Sequence, residues 1–104
     1  MFVVGISVLE LESSDDDLEW LSLRLVDSWD KLARRLEFKK AEITGVHKTN
    51  EKYDEKALSM LLRWKEKKGP NATNKVLHDA LCHEFVQRNR LAEEFCSYLV
   101  TLRK

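Results

Sequence analysis

The amino-acid sequence predicts an all-α fold, a bundle of six helices preceded by a short extended segment. The first observation behind this prediction is the scarcity of helix breakers, since 104 residues include only three Gly and one Pro, which leaves little room for turns. The second is that apolar residues recur at intervals of three and four along most of the chain. A chain of this length with 43% hydrophobic residues is expected to form one domain around one core.

The N-terminal segment, residues 1–13, differs from the rest of the sequence. Residues 2–11 are rich in β-branched residues and predict an extended conformation. No other segment offers a strand with which it could pair. It is therefore expected either to pack on the helices or to be the last strand of an upstream domain in a longer protein. The helical domain is predicted to span 14–104.

The first three helices follow the N-terminal segment closely. The first is predicted to start after Ser14, because Ser14 and Asp17 have capping-box spacing and acidic residues fill the first turn. A second helix is predicted to begin near Ser28, and a third, short one to span about 39–48. The inward residues of these helices, spaced by three and four, are Leu18, Leu21, Leu25, Trp29, Leu32, Ala33, Leu36, Ile43 and Val46.

Three further helices complete the predicted bundle. The fourth is the longest, about 51–68, and Gly69 and Pro70 are expected to end it. Thr73 is the predicted cap of the fifth helix, and Asn89 opens the sixth. Their inward residues are Ala57, Met60, Leu61, Trp64, Leu77, Ala80, Leu81, Phe85, Leu91, Phe95, Tyr98, Leu99 and Leu102.

The three tryptophans have different predicted roles. Trp29 and Trp64 stand at inward positions, where each can bury roughly 150–250 Å², and they are expected to anchor the core. Trp20 falls outside the leucine stripe of the first helix. It is expected either to pack against the N-terminal segment or to be an exposed contact residue.

The sequence offers little support for a metal site. His78 and Cys82 stand at i, i+4, a spacing that suits two ligands on one helical face. A complete site needs a third and a fourth ligand, and only His47, His83 and Cys96 remain. We therefore expect no metal and no cofactor, with Cys82 acting as a small buried hydrophobic residue.

Enzymatic chemistry is not expected either. The sequence contains no Gly-rich phosphate loop and no turn suited to an oxyanion hole beside a Cys–His pair, and its adjacent acids Glu93 and Glu94 fall on a polar helix face. We therefore predict no catalysis and no small-molecule substrate. Two cysteines without metal spacing favour a reducing, cytoplasmic compartment. No stretch approaches the ~20 apolar residues needed to cross a bilayer, so no direct membrane insertion is expected.

The charge is divided into two poles, although the chain as a whole is neutral. Residues 1–30 carry eight acids and one base, whereas residues 31–75 carry thirteen bases and six acids. This pattern favours docking to a protein with complementary charge over attraction to nucleic acid. The predicted basic face comprises Lys31, Arg34, Arg35, Lys39 and Lys40. The predicted acidic face comprises Asp15, Asp16, Asp17 and Glu19.

The order of the apolar landmarks resembles that of a death domain. The segment W-D-K-L-A-R-R-L at 29–36 is followed by Ile43, by M-L-L-R-W at 60–64 and by G-P-N-A-T at 69–73. Leu77 with Ala80-Leu81, and then Leu91-Ala92, complete a pattern that spans about 28–96. The Ala-Thr pair at 72–73 is similar to that of the ankyrin and netrin-receptor branch of the family.

This resemblance implies an antiparallel Greek-key arrangement of the six helices and homotypic contacts with other death domains, self-association included. It implies work in apoptotic or inflammatory signalling assemblies, as an adaptor or as part of a larger receptor or scaffold. In the family, one asymmetric contact pairs the second and third helices of one copy with the first and fourth of the next. By the same analogy, a second surface would comprise Lys67, Lys68, Asn71, Arg88 and Arg90.

Two other functional classes stay open. One is a monomeric structural or autoinhibitory tail domain of a larger cytoskeletal or receptor protein. The other is nucleic-acid binding through the basic surface of residues 31–68, although zero net charge and the lack of interleaved exposed aromatic residues argue against it.

Overall fold

The computed structural model describes residues 8–102, which form an all-α bundle. The α-helices are α1 (Asp15–Leu25), α2 (Trp29–Arg35), α3 (Lys40–Thr49), α4 (Tyr53–Lys68), α5 (Asn74–Leu81) and α6 (Asn89–Leu102). Short 3-10 turns occupy Val26–Ser28 and Gly69–Asn71.

The separation into six distinct helices is not confirmed. Helical backbone runs without a break over 15–35, because a 3-10 turn joins α1 to α2, and residues 8–102 therefore contain five continuous helical stretches. The chain leaves the α-helical conformation at Val26, whose φ of +50° is unusual for a β-branched residue. The sequence pattern places a helix start near Ser28 but gives no sign that the two helices are continuous.

Helix α4 lies at the centre of the bundle and contacts α1, α2 and α3, while α5 packs on α6. Helix α4 ends at Lys68. Gly69 follows it with a φ of +55°, which a glycine adopts without steric cost. This agrees with the predicted stop at Gly69 and Pro70. Of the core residues predicted around the two tryptophans, all except Ile43 are buried. The buried residues are Trp29, Leu32, Leu36, Leu61, Trp64, Leu77, Leu81, Leu91 and Phe95.

Two predictions about burial are wrong, and a third holds only in part. Ile43 packs against the core but is only partly buried, whereas Val46, also predicted to be inward, is buried. Phe85 is 65% exposed, because α5 ends at Leu81 and the following turns bring Val86 to the core instead. Cys82 is exposed at the end of α5 rather than buried.

Residues 8–13 pack on the helices, one of the two predicted alternatives for the N-terminal segment, whose residues 1–7 lie outside the described part of the chain. The carbonyls of Leu9 and Leu11 accept hydrogen bonds from the backbone N–H groups of Lys75 and Asn74, at 2.7 and 2.9 Å. These donors belong to the first turn of α5, where a helix leaves N–H groups without internal partners. Thr73 precedes α5 as predicted, but its side chain makes no capping hydrogen bond.

Candidate partner-binding surfaces

The basic face is centred on the outer side of α2. Lys31 and Arg34, three positions apart, are both exposed, because Trp29, Leu32 and Ala33 turn the opposite side of this helix into the core. Lys39 and Lys40 are also exposed and lie at the start of α3. Four of the five predicted basic residues are therefore available to a partner.

Arg35, the fifth predicted basic residue, is partly buried. Its guanidinium lies 5.3 Å from the centre of the Phe85 ring, and its Nη1 is 3.4 Å from His83 Nε2. The Nδ1 atom of His83 accepts the backbone N–H of Phe85 at 3.1 Å. A neutral imidazole that accepts at Nδ1 carries its proton on Nε2, so Nε2 cannot accept a bond from Arg35. Packing on Phe85 therefore holds Arg35 in place.

The turn between α2 and α3 is fastened to the end of α4 by two ion pairs. Lys68 Nζ lies 2.7 Å from Glu37 Oε1, and Lys67 Nζ lies 3.2 Å from Glu42 Oε2. The hydrogen bond and charge of Lys68 lower the pKa of the Glu37 carboxyl. The backbone N–H of Lys39, followed by the side chain of Lys67, lowers the pKa of Glu42. These pairs connect Lys67 and Lys68 to Glu37 and Glu42, which flank Lys39 and Lys40 of the basic face in the sequence.

The acidic face is smaller than predicted. Asp15, Asp16 and Glu19 are exposed on α1, and Asp15 pairs with Lys65 of α4 at 3.0 Å. Asp17 does not belong to this face, because it is fully buried. Its Oδ2 accepts the backbone N–H of Ser14 at 3.0 Å, and its own N–H donates to Ser14 Oγ at 3.1 Å. The capping-box spacing thus assigns Asp17 a structural role.

A groove of about 430 Å³ between α1 and α4 adds acids that the sequence reasoning missed. It is lined in part by Glu12, Asp15, Leu62, Lys65 and Glu66. Glu12 and Glu66 are both exposed, and they stand more than fifty positions apart in the sequence. Glu12 is placed by the N-terminal segment, which bridges to Thr73, and Glu66 lies on α4. Only the folded chain brings these two carboxylates to one groove, so no local pattern could have predicted it.

The second predicted surface is not assembled as proposed. Arg88 is occupied within the fold: its guanidinium donates to the carbonyl oxygens of Arg24 and Leu25 and to Ser28 Oγ, at 2.8, 3.2 and 2.9 Å. Arg90 is exposed and lines a different groove, between α1 and α6. Lys67, Lys68 and exposed Asn71 lie instead at the end of α4.

Trp20 packs against α6. Its ring stacks on Tyr98 and Phe95, with centroid distances of 4.6 and 5.9 Å, and the Arg24 guanidinium covers it at 3.9 Å. Trp20 lines a groove of about 740 Å³ with Arg90. Trp20 therefore lies partly exposed in an aromatic cluster between α1 and α6, a neighbourhood that the sequence pattern does not predict.

His78 and Cys82, considered for metal binding, lie one turn apart at the end of α5. Within residues 8–102, no three His, Cys, Asp or Glu side chains are grouped so that they could hold a metal ion. Cys82 is an exposed thiol whose pKa is raised by desolvation and, to a smaller extent, by Asp79 and Glu93. None of the described helices has the length and apolar character needed to cross a membrane.

Comparison with known proteins agrees with the fold. The family model described as "Death domain" matches residues 15–99, which is most of the chain and includes the helices that carry both charged faces. A search of curated protein sequences gave no match. Death domains are non-catalytic modules that bind other death-fold proteins in signalling. This chain is an all-α bundle built around Trp29 and Trp64, and the family model matches most of its length. The chain therefore belongs to the death domain family.

Proposed function

We propose that this chain binds death-fold domains, including its own copies, through a head-to-tail contact between its basic face and its acidic face. The basic face is Lys31, Arg34, Lys39 and Lys40, and the acidic face is Asp15, Asp16 and Glu19 with the α1–α4 groove. The observation that carries the proposal is that one domain exposes both signs of charge on different helices. A copy can therefore offer each face to a different neighbour.

The energetics favour a contact made of many charges. One exposed ion pair contributes about 0–1 kcal/mol, which cannot hold two domains together. Several complementary charges act mainly on the association rate and on the choice of partner. Since the two faces differ, the contact does not close on itself and can extend into a helical assembly.

The finer context of this role follows the family resemblance. We propose a six-helix Greek-key topology and work in cytoplasmic apoptotic or inflammatory signalling assemblies, as an adaptor or as part of a larger receptor or scaffold. Residues 14–104 would be the interaction domain, and residues 8–13, which pack on α5, would contribute to its stability.

The direct test is charge reversal on the basic face. The variant Lys31→Glu/Arg34→Glu changes two exposed side chains that lie outside the core, so its thermal unfolding should match that of the wild type. Its self-association, measured by sedimentation velocity over a wide concentration range at low salt, should be lost. Added salt should weaken the wild-type association, because screening acts on exposed charges.

The matched control is Lys48→Glu/Lys75→Glu, which makes the same number of reversals on exposed residues of α3 and α5 outside both faces. It should associate like the wild type. Equal loss in test and control variants would point to net charge instead of a defined face. A wild type that stays monomeric at every concentration would contradict the proposed self-association and would favour a tail domain.

A further inference from the structure

Phe85 is a large apolar side chain that the fold holds outward. Its side chain is 65% exposed, whereas that of the adjacent Val86 is buried. The backbone N–H groups of Val86 and Gln87 both donate to the His83 carbonyl, at 2.9 and 2.8 Å. The loop between α5 and α6 is therefore a set of hydrogen-bonded turns, anchored by Val86, that presents the Phe85 ring to solvent in a defined position.

The Phe85 ring adjoins the basic face. The guanidinium carbon of Arg35 lies 5.3 Å from the centre of this ring, and the His83 ring packs on it with a centroid distance of 5.2 Å. Arg35 stands four positions after Lys31 of the basic face, on the same side of α2. Aromatic residues and arginine are the types that protein interfaces prefer. Phe85 thus places an apolar group at the edge of a face that is otherwise charged.

The α1–α4 groove has the complementary character. Leu62 is half-buried and gives the groove an apolar wall. Asp15 and Lys65 neutralise each other at 3.0 Å, so the exposed Glu12 and Glu66 are left as the excess charge. The groove volume of about 430 Å³ exceeds that of a cavity known to hold a benzene ring, about 150 Å³, so it has room for a phenylalanine side chain.

We propose that Phe85 is the apolar anchor of the head-to-tail contact and enters the α1–α4 groove of a second copy of this chain. The ring packs on Leu62, and the Arg35 guanidinium that lies against it arrives beside Glu12 and Glu66. The edge of an aromatic ring carries partial positive charge, so the carboxylates suit the ring as well as its arginine. This match of charge is the reason for choosing a second copy as the partner.

The inference rests on the proposed function, because it uses the same two faces, and it supplies what exposed charges lack. Exposed ion pairs contribute little individually. An aromatic side chain that leaves water on binding is among the larger contributions to an interface. The anchor therefore accounts for affinity, while the surrounding charges set the association rate and the choice of partner.

Truncation of the ring tests the anchor. Phe85→Ala should weaken self-association in sedimentation velocity about tenfold or more, at low and at high salt alike, because screening acts on charges and not on apolar burial. Its thermal unfolding should match that of the wild type. Tyr53→Ala removes a ring that is 53% exposed at the start of α4, outside both faces, and should associate like the wild type.

The result that would overturn the anchor is wild-type association in Phe85→Ala. If Lys31→Glu/Arg34→Glu is still defective in the same experiment, the proposed function stands without the anchor. A wild-type chain that forms no associated species would remove both.

Photocrosslinking locates the groove that receives the ring. Replacing Phe85 by p-benzoylphenylalanine keeps an aromatic side chain at this position, and mixing nitrogen-15-labelled with unlabelled full chains identifies crosslinks between copies. Mass spectrometry should place these crosslinks within 12–15 and 62–69, the segments that line the α1–α4 groove. The same replacement at Tyr53 is the control and should not react with these segments. Crosslinks between copies that map elsewhere would refute the assigned groove.

Discussion

Asn74 shows how one buried polar side chain fixes the N-terminal segment to the bundle. It is fully buried, and its Oδ1 accepts a hydrogen bond from Ser13 Oγ at 2.7 Å. Its Nδ2 donates to the carbonyl of Val8 at 3.0 Å. The backbone N–H of Ser13 also donates to the carbonyl of Ala72 at 2.8 Å. These bonds hold residues 8–13 across the start of α5.

Replacing Asn74 by Ala should destabilise the domain. The change leaves the Val8 carbonyl and the Ser13 hydroxyl without their partner, and each unsatisfied buried group costs about 1–3 kcal/mol. The free energy of unfolding, measured by urea denaturation, should fall by about 2 kcal/mol or more. Asn71→Ala, at an exposed position of the preceding turn, is the control and should change little. Equal stabilities of the two variants would show that the Asn74 bonds contribute nothing.

At the residue scale, local chemistry was predictable and long-range partners were not. Ser14 and Asp17 were recognised as a capping box because their spacing alone determines it. The sequence pattern also assigns Asp17 to a binding face, because its burial depends on the packing of α1 against helices that lie far away in sequence. Phe85 was placed inside for a similar reason, since the apolar spacing continues beyond the point where α5 ends.

At the element scale, Arg88 fastens the N-terminus of α6 to the junction of α1 and α2. Its guanidinium binds two carbonyl oxygens at the end of α1 and the Ser28 hydroxyl. Val26, with its positive φ, lies within this junction, and a residue held in such a conformation needs support from its surroundings. The Arg88 guanidinium supplies that support, because its planar set of N–H donors bonds all three of these acceptors.

Arg88→Lys should therefore destabilise the α1–α2 junction although it keeps the charge. A lysine ammonium does not reproduce the planar fork, so we expect a loss of about 1–3 kcal/mol in the free energy of unfolding. Hydrogen exchange should be faster for amides around 24–28. The control Arg90→Lys alters an exposed arginine two residues away, in the first turn of α6, and should leave both measurements unchanged. Wild-type exchange in Arg88→Lys would contradict the assigned role.

The start of α3 predicts a pH-dependent contribution to stability. Glu42 accepts the Lys39 backbone N–H at 2.9 Å and pairs with Lys67, and its pKa is lowered in the folded state. A carboxyl whose folded pKa is lower than its unfolded pKa stabilises the fold above the unfolded value. This stabilisation is lost as the pH falls through the folded pKa.

Glu42→Gln should consequently lower the melting temperature near pH 7, and this effect should fade as the pH falls through the folded pKa, where the wild-type carboxyl also becomes protonated. Thermal unfolding followed by circular dichroism across this range measures the difference. Glu84→Gln, an exposed acid in the α5–α6 loop, should track the wild type throughout. A Glu42→Gln difference that stays constant with pH would rule out the lowered pKa as its cause.

At the scale of the whole molecule, the sequence predicted the fold class and the division of charge but not the assembled surfaces. The helix periods and the two charge poles are local properties that can be counted along the chain. The acidic groove of Glu12 and Glu66 depends on the N-terminal segment meeting α4, and the packing of Arg35 on Phe85 depends on α2 meeting the loop after α5. The residues that meet at these two places are separated by tens of positions in the sequence, so only the packed structure shows that they are close together.

The central claim, that two different faces meet head to tail, is tested most directly by mixing two defective variants. Lys31→Ala/Arg34→Ala keeps its acidic face, and Asp16→Ala/Glu19→Ala keeps its basic face. Neutral replacements are used because two reversed faces would again be complementary to each other. Sedimentation velocity should find each variant monomeric alone and a one-to-one dimer in the mixture, because one intact contact can form and cannot propagate. The wild type should continue to larger species. A mixture that stays monomeric, or a single variant that assembles like the wild type, would contradict the claim.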